Sequence, residues 1–288
     1  MSRWPPPPTV GASFFKAHGL GNDYLVFDEG DAWRASSQAI ASVCDPHRGV
    51  GSDGIVVLLE DRSGDVFRAR MFNPDGSEFE RSGNGLRVLG AYLTRVARKQ
   101  TRFTVEVGGE RVALEVHGRQ GGTLDISVEM GRAETGPAAV ALDPKALDEE
   151  GRIAGPDGVP LRVVPVSVGN PHLVVLTERP TEDDLARVGA HLVGHPALAH
   201  GANVQLASNA GSSVLRALIW ERGVGPTSAS GTSACAVAVA AVREGWAPPS
   251  ELRVEMPGGA LSVTVSASLD VVLRGPVEEV CLGTLLLP

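Results

Sequence analysis

The chain contains two stretches of similar sequence with the same internal spacing, and this repeat constrains the fold more than any other feature. Asn22 and Asn170 each follow a glycine and precede an apolar run. A serine followed by glycine, Ser82 in one half and Ser230 in the other, lies 60 residues after each asparagine (82 − 22 and 230 − 170). We therefore expect two halves of similar fold that arose by duplication.

The pattern of apolar residues predicts an α+β protein that is rich in strands. Short runs of branched and aromatic residues, bounded by Gly, Pro and Asp, predict strands at positions that include 24–27, 54–59, 66–72 and 103–107. Longer segments predict helices at 35–44, 85–98, 183–192 and 232–244.

The limits of the two halves are predicted from composition. The stretch 134–159 is rich in Gly, Pro and Asp, which is typical of a connection between domains or of a surface excursion. We place the first half at 14–140 and the second at 141–288. Residues 1–13 include a run of four prolines and are predicted to form a disordered tail.

Charge and composition exclude several classes of partner. A net charge of −8 and a sequence pI near 5.4 provide no basic surface for nucleic acid. No apolar run reaches the roughly 18 residues that a membrane span needs, so we expect no membrane partner. Three cysteines without CxxC spacing predict neither a disulfide framework nor a metal site, and they favour a cytoplasmic location. Gly19-Leu20-Gly21 leads into a strand rather than a helix, so no dinucleotide or other cofactor is expected.

The two serines open helices whose N-termini are suited to binding an anion. Backbone N–H groups of the first turn lack partners within a helix and lie at the positive end of its dipole. The candidate binding residues in these turns are Gly83, Asn84, Gly231 and Thr232. The alternative is that Ser82 and Ser230 are ordinary N-caps and that the glycines only permit tight turns. The matched pair favours a site.

A set of polar residues elsewhere in the chain matches the groups of an amino acid. Arg222 offers a guanidinium to a carboxylate, and Glu221 offers a carboxylate to an ammonium group. Amide groups complete the set, at Asn22, Asn73, Asn170 and Asn203. Asn73 and Glu221 occupy equivalent places in the two halves, because each lies 51 residues after its asparagine (73 − 22 and 221 − 170). Taken alone, Glu221 and Arg222 would be a solvated surface pair.

Several of these stretches resemble, in the same order, the motifs of the diaminopimelate epimerase family. The similar segments are 16–24, 72–87, 168–172, 221–225 and 229–232. The resemblance implies two pseudo-symmetric domains, each a strand-rich, barrel-like sheet around a central helix, with the ligand in a cleft between them. It also implies a homodimer, a small amino-acid or carboxylate substrate, a role in lysine biosynthesis, and cofactor-independent racemisation or epimerisation.

The resemblance implies two catalytic cysteines, and this chain has Ser82 and Ser230 at those positions. A thiol ionises far more readily than an alcohol, which needs an adjacent base, so the family route is expected to be severely impaired. Pro226 stands where the family has a glutamate that would bond to the second catalytic residue. His172 and Glu80 are candidates for an assisting acid or base.

Three readings of function follow. The first is an isomerase acting on a substrate with a more acidic C–H bond, in which Ser82 and Ser230 donate or relay protons. The second is a dehydratase or lyase acting on a hydroxylated amino acid. The third is a protein that binds an amino acid without turnover, either a diverged homologue or a Cys-to-Ser variant of an epimerase.

Overall fold

The computed structural model describes residues 4–63, 65–211 and 213–286. The chain divides into two compact units. Unit 1 comprises Met1–Glu129 and Gly275–Pro288, and unit 2 comprises Met130–Arg274. The predicted boundary at 140/141 therefore differs from the structure in two ways: the first crossing comes earlier in the chain, and the last residues return to unit 1.

Unit 1 is built mainly of strands with two helices. Its strands in chain order are β1 (Thr9–Gly19), β2 (Asn22–Glu29), β3 (Trp33–Arg34), β4 (Ile55–Ser63), β5 (Val66–Phe72), β6 (Glu78–Phe79), β7 (Arg102–Val107), β8 (Glu110–Gln120) and β9 (Thr123–Arg132). Its helices are α1 (Ser37–Cys44) and α2 (Gly83–Val96). Strand β9 continues across the boundary into unit 2.

Unit 2 has the same composition of elements. Its strands are β10 (Glu134–Thr135), β11 (Arg152–Ala154), β12 (Pro160–Ser167), β13 (Pro171–Leu176), β14 (Asn203–Gly211), β15 (Val214–Glu221), β16 (Gly225–Thr227), β17 (Glu251–Met256), β18 (Gly259–Val265) and β19 (Asp270–Thr284). Its helices are α3 (Glu182–Leu192) and α4 (Gly231–Arg243), with 3-10 turns at Pro137–Val140 and Pro144–Ala146. Strand β19 carries the chain back into unit 1.

The pairing of strands confirms the predicted duplication. In unit 1, β2 pairs in parallel with β4, β4 antiparallel with β5, β5 parallel with β7, and β7 antiparallel with β8. In unit 2 the same alternation runs through β13, β14, β15, β17 and β18. The helices α1 and α3 follow equivalent strands, as do α2 and α4. The predicted α+β class and the pseudo-symmetric halves are both confirmed.

Each unit wraps its strands around one central helix. In unit 1, β1 and β9 both pair with β19, which closes eight strands into a barrel, and α2 packs against β1, β2, β4 and β8. In unit 2, α4 packs against β12, β13, β14, β15, β17 and β18. A helix that is apolar on every side belongs in such an interior. Residues 234–241 of α4 are buried and are mostly alanine and valine, whose small side chains let the strands approach closely.

The four predicted helices are confirmed with shifts of one or two residues at their starts and up to two at their ends. The predicted strands at 24–27, 54–59, 66–72 and 103–107 correspond to β2, β4, β5 and β7. Among the described residues, no helix is both long and apolar enough to cross a membrane.

The structure differs from what composition suggested in two irregular segments. In the predicted tail, β1 begins at Thr9, Val10 is fully buried, and the Arg70 guanidinium donates hydrogen bonds to the carbonyl oxygens of Pro5 and Pro6 at 3.0 and 2.7 Å. Residues 1–3 of that tail lie outside the described part. The stretch 134–159 is not a connection between units, because it lies within unit 2 and contributes Val140, Leu142 and Ile153 to the core of that unit.

Candidate active site

The predicted site residues lie in both units, and some of them are at the N-terminus of a central helix. In unit 1, Ser82 is the N-cap of α2 in an extended conformation, and Gly83 and Asn84 begin the helix. The Ser82 hydroxyl accepts a hydrogen bond from the Gly85 N–H at 3.1 Å, and the first backbone bond of the helix runs from Leu86 N–H to the Ser82 carbonyl at 2.9 Å. Ser82 is half-buried, whereas Gly83 and Asn84 are buried.

Asn84 brings Asn22 to the start of α2. The Asn84 Nδ2 donates hydrogen bonds to the Asn22 carbonyl at 2.6 Å and to Asn22 Oδ1 at 2.8 Å. Gly19 lies beside this contact, and a Cβ at that position would meet Asn84 Oδ1 at 2.1 Å, so only glycine fits there. Asn22 and the start of α2 are therefore in direct contact within unit 1.

Asn73 is held by its own turn. Its side-chain Nδ2 donates to Ser77 Oγ at 2.9 Å, and its backbone N–H donates to the Ser77 carbonyl at 2.9 Å. Asp75 accepts from both the N–H and the hydroxyl of Ser77, which lowers the pKa of Asp75. Asp75 therefore shapes the turn. The Asn73 side chain is therefore engaged within the same turn.

In unit 2, Ser230 is the N-cap of α4, and the first backbone bond of the helix runs from Ala234 N–H to the Ser230 carbonyl at 3.0 Å. Gly231 is buried and Thr232 is half-buried. Within the described residues the Ser230 side chain makes no capping bond to the first turn, unlike Ser82. The two helices are therefore equivalent in backbone position but differ in how their serine hydroxyls are held.

Asn170 is held by a buried histidine. His172 Nε2 lies 2.9 Å from Asn170 Oδ1, and Gln205 Nε2 lies 3.0 Å from both His172 Nδ1 and Ser233 Oγ. Because Gln205 Nε2 is a donor, His172 Nδ1 accepts and Nε2 carries the proton that bonds to Asn170. Burial lowers the pKa of His172 to about 3, so the ring is neutral. With both nitrogens engaged, His172 orients Asn170, and it does not act as the assisting base considered from the sequence.

Arg222 and Asn203 are also brought together in unit 2. The Arg222 backbone N–H donates to Asn203 Oδ1 at 2.9 Å, and one guanidinium nitrogen of Arg222 donates to the His200 carbonyl. Arg222 is exposed, and Glu221 is half-buried next to it at the end of β15. Pro226 lies in β16, opposite Trp220, and offers neither an N–H nor a side-chain acceptor to Ser230.

Two polar residues in these groups were missed from the sequence. Asp53 accepts a hydrogen bond from Asn22 Nδ2 at 2.9 Å, and Gln205 links His172 to the first turn of α4. Asp53 ends a polar, glycine-rich stretch just before an apolar strand, which is a signal that would have suggested a functional loop. Gln205 interrupts the apolar run of β14 as a fully buried polar residue.

None of the three cysteines replaces the two serines. Cys44 and Cys235 are buried, and Cys281 is exposed on β19. Burial, with the negative charges of Asp23 and Asp53, raises the pKa of the Cys44 thiol to about 12, so it is not a thiolate. The hydroxyls of Ser82 and Ser230 are therefore the groups available at the two helix starts.

Comparison with known proteins places this chain in a family. The family model for diaminopimelate epimerase matches residues 14–136 and 164–280. The chain is 35% identical over 279 residues to a diaminopimelate epimerase of Magnetococcus marinus, covering 96% of this chain and 98% of that protein. It is 36% identical over 287 residues to one of a Synechococcus species, covering 96% and 99%.

Solved structures share the fold at low sequence identity. A hydroxyproline epimerase of Agrobacterium vitis matches with a TM-score of 0.68 at 16% identity, covering 96% of this chain and 93% of that chain. A phenazine biosynthesis protein of Bacillus anthracis matches with a TM-score of 0.65 at 15% identity, covering 96% and 99%.

The duplicated fold and these relatives make this chain an isomerase of the racemase and epimerase class. It belongs to the diaminopimelate epimerase family.

Proposed function

We propose that this protein moves the α-proton of an amino acid, or of a related small carboxylate, without a cofactor. Ser82 and Ser230 occupy the two positions at which protons leave and return. The observation that carries the proposal is the matched pair of buried helices, each opened by a serine and flanked by an asparagine whose amide is oriented by a second side chain.

The helix N-termini supply the electrostatics that this chemistry requires. Removal of an α-proton places negative charge on the α-carbon and carboxylate, and N–H groups aimed at that charge stabilise it. Gly83 and Asn84 in unit 1, and Gly231 and Thr232 in unit 2, carry such first-turn N–H groups. The exposed Arg222 guanidinium provides a cation for a carboxylate.

Serine changes what the two positions do. An alcohol donates a proton readily in a hydrogen bond but is a poor base without an adjacent acceptor. The Ser82 oxygen already accepts the Gly85 N–H, which further weakens it as a base. Two weak bases of this kind suit a substrate whose α-proton is more acidic than that of a simple amino acid.

The test is exchange of the α-proton in heavy water, followed by proton NMR, over a panel of amino acids that includes diaminopimelate. Exchange at an α-carbon with no change in mass apart from deuterium supports the isomerase and identifies the substrate class. A product that has lost water instead supports a dehydratase acting on a hydroxylated amino acid. Tight binding by calorimetry without exchange supports a binding protein.

The control is the variant with both Ser82→Ala and Ser230→Ala, which keeps the backbone of both helix starts and removes both hydroxyls. Exchange that is unchanged in this variant would contradict the role proposed for the serines. A homodimer and a cytoplasmic location remain predictions, and sedimentation of the purified protein checks the first of them.

A further inference from the structure

The side-chain amide of Asn22 is held from two sides within unit 1. Its Oδ1 accepts a hydrogen bond from Asn84 Nδ2 at 2.8 Å, and its Nδ2 donates one to Asp53 Oδ2 at 2.9 Å. An ionised carboxylate only accepts hydrogen bonds, so Asp53 requires the nitrogen of Asn22 to face it. The amide plane is therefore fixed in one of its two orientations.

The amide of Asn84 is also held in one orientation, by a hydrogen bond from a residue deeper in the unit. Its Oδ1 accepts from Arg87 Nη2 at 3.0 Å, and Arg87 Nη1 donates to the Pro276 carbonyl at 3.2 Å. Asn84 is 4% exposed and Arg87 is 1% exposed. A guanidinium only donates, so Arg87 fixes the amide of Asn84 just as Asp53 fixes that of Asn22. The hydrogen bonds run in one direction, from a buried guanidinium to a surface carboxylate.

Asp53 is itself clamped to the strand that carries Asn22. The Asp53 N–H donates to Asp23 Oδ1 at 3.0 Å, and the Asp23 N–H donates to Asp53 Oδ2 at 2.9 Å. Lys16 Nζ pairs with Asp23 Oδ2 at 2.6 Å and donates to the Gly51 carbonyl at 2.6 Å. Lys16 thus holds the loop in place through Asp23. The Asp53 carboxylate accepts the hydrogen bond from Asn22.

One hydrogen of Asn22 Nδ2 remains for a ligand. The amide nitrogen has two hydrogens, and Asp53 Oδ2 takes one of them. In the described part of the chain, no hydrogen bond to a protein acceptor is made by the other. A donor with a fixed direction beside the start of α2 suits a carboxylate oxygen of the substrate.

We propose that Asp53 is a positioning residue that acts through Asn22 and so sets the affinity for the substrate's carboxylate. This inference rests on the proposed function. Without Asp53, the Asn22 amide loses the bond that distinguishes its nitrogen from its oxygen, and its free N–H is no longer aimed. In unit 2, the equivalent Asn170 is oriented by a neutral, buried histidine, His172. The two asparagines are therefore oriented by a carboxylate in one unit and by an imidazole in the other.

The test compares Asp53→Ala with Asp53→Asn, each in the wild-type and in the Asn22→Ala background. Asp53→Ala is expected to raise KM about tenfold with a smaller effect on kcat, since one oriented hydrogen bond is lost. Asp53→Asn retains an oxygen that accepts from Asn22 and is expected to recover most of the affinity. In the Asn22→Ala background, Asp53→Ala is expected to have no further effect on KM.

The matched control is Asp148→Ala, which removes another loop aspartate that accepts backbone N–H bonds, from Glu150 and Arg152 in unit 2. Its KM is expected to equal that of the wild type. If Asp53→Ala raises KM equally in both backgrounds, Asp53 acts through the loop as a whole, and the inference is overturned.

A second measurement separates this inference from the proposed function. In protein labelled with ¹⁵N at asparagine, the two Nδ2 hydrogens of Asn22 are expected to be well dispersed in the wild type and to converge in Asp53→Ala. Unchanged dispersion overturns the positioning role whatever the substrate. Signals that are dispersed in the wild type and converge in Asp53→Ala, in a protein that binds and exchanges no member of the panel, would show that Asp53 orients Asn22 but would contradict the proposed function and the role in substrate affinity.

Discussion

The hydroxyl of Ser82 accepts a hydrogen bond from the Gly85 N–H at 3.1 Å, whereas Ser230, at the equivalent place in unit 2, caps α4 without such a side-chain bond among the described residues. The duplicated halves therefore agree in backbone position and differ in the environment of the two hydroxyls. The Ser82 oxygen is bonded to the first turn of its helix, whereas the Ser230 oxygen makes no such bond to the first turn of α4.

This difference predicts unequal effects on stability. Ser82→Ala is expected to lower the free energy of unfolding by about 1 kcal/mol, because it removes a capping hydrogen bond. Ser230→Ala is expected to lower it by less than half as much. Urea denaturation of both variants provides the measurement, with each serving as the control for the other. Equal losses would contradict the asymmetry.

Restoring thiols at both positions should restore proton abstraction. With Ser82→Cys and Ser230→Cys combined, a thiol at a helix N-terminus ionises near neutral pH, and the α-proton exchange rate is expected to rise about a hundredfold. Either single substitution serves as the control, since one thiol cannot both remove and return the proton on opposite faces. No gain in the double variant would show that Pro226 and its surroundings no longer support the thiol route.

Arg222 is expected to govern affinity for the carboxylate. Arg222→Ala should weaken binding of an α-carboxylate ligand by at least about tenfold. The affinity of Arg222→Lys should lie between those of Arg222→Ala and the wild type, because lysine keeps the charge but cannot form a bidentate contact with the carboxylate. Arg216→Ala is the matched control, as Arg216 is also an exposed arginine of unit 2 and pairs with Glu255. Calorimetry that shows equal affinity in Arg222→Ala would refute this assignment.

His172 makes stability depend on pH. Its pKa is about 6.5 in the unfolded chain and about 3 in the folded chain. Between these two pH values the ring is protonated in the unfolded chain and neutral in the folded one. This stability is complete above pH 6.5 and is lost as the pH falls below it, at about 1.4 kcal/mol per pH unit.

Between pH 7.5 and 5.0 the wild type is therefore expected to lose about 2 kcal/mol of unfolding free energy from His172 alone. His172→Gln removes the titrating group, and its stability is expected to change less over the same range. The measurement is urea denaturation at both pH values. His200→Gln, at another histidine of unit 2, is the control, and parallel losses in His172→Gln and the wild type would disprove the prediction.

The two helix starts of the candidate site were predictable because their signals are local. A serine followed by glycine before an apolar helix is written in consecutive residues, and both central helices were predicted within two residues of their observed starts. The contacts that orient the asparagines were not predictable in this way. Asp53 reaches Asn22 across 31 residues of sequence, and Asn84 reaches it across 62.

Irregular segments were the least predictable part of the fold. Proline-rich and glycine-rich stretches lack the periodicity that marks helices and strands, so their composition indicates disorder or a linker. Contacts with residues far away in the sequence order both segments. Arg70 binds the carbonyls of Pro5 and Pro6, and apolar residues of 134–159 are part of the core of unit 2.

The sequence by itself determined the duplication, the α+β class, the two central helices and the serines that open them, because periodicity, capping and repeat spacing depend on neighbours along the chain. Only the tertiary structure decided that His172 is neutral, that the Asn73 amide is used within its own turn, and that Asp53 orients Asn22. Burial and hydrogen bonding across strands set these properties, and both arise only when residues far apart in sequence are folded together.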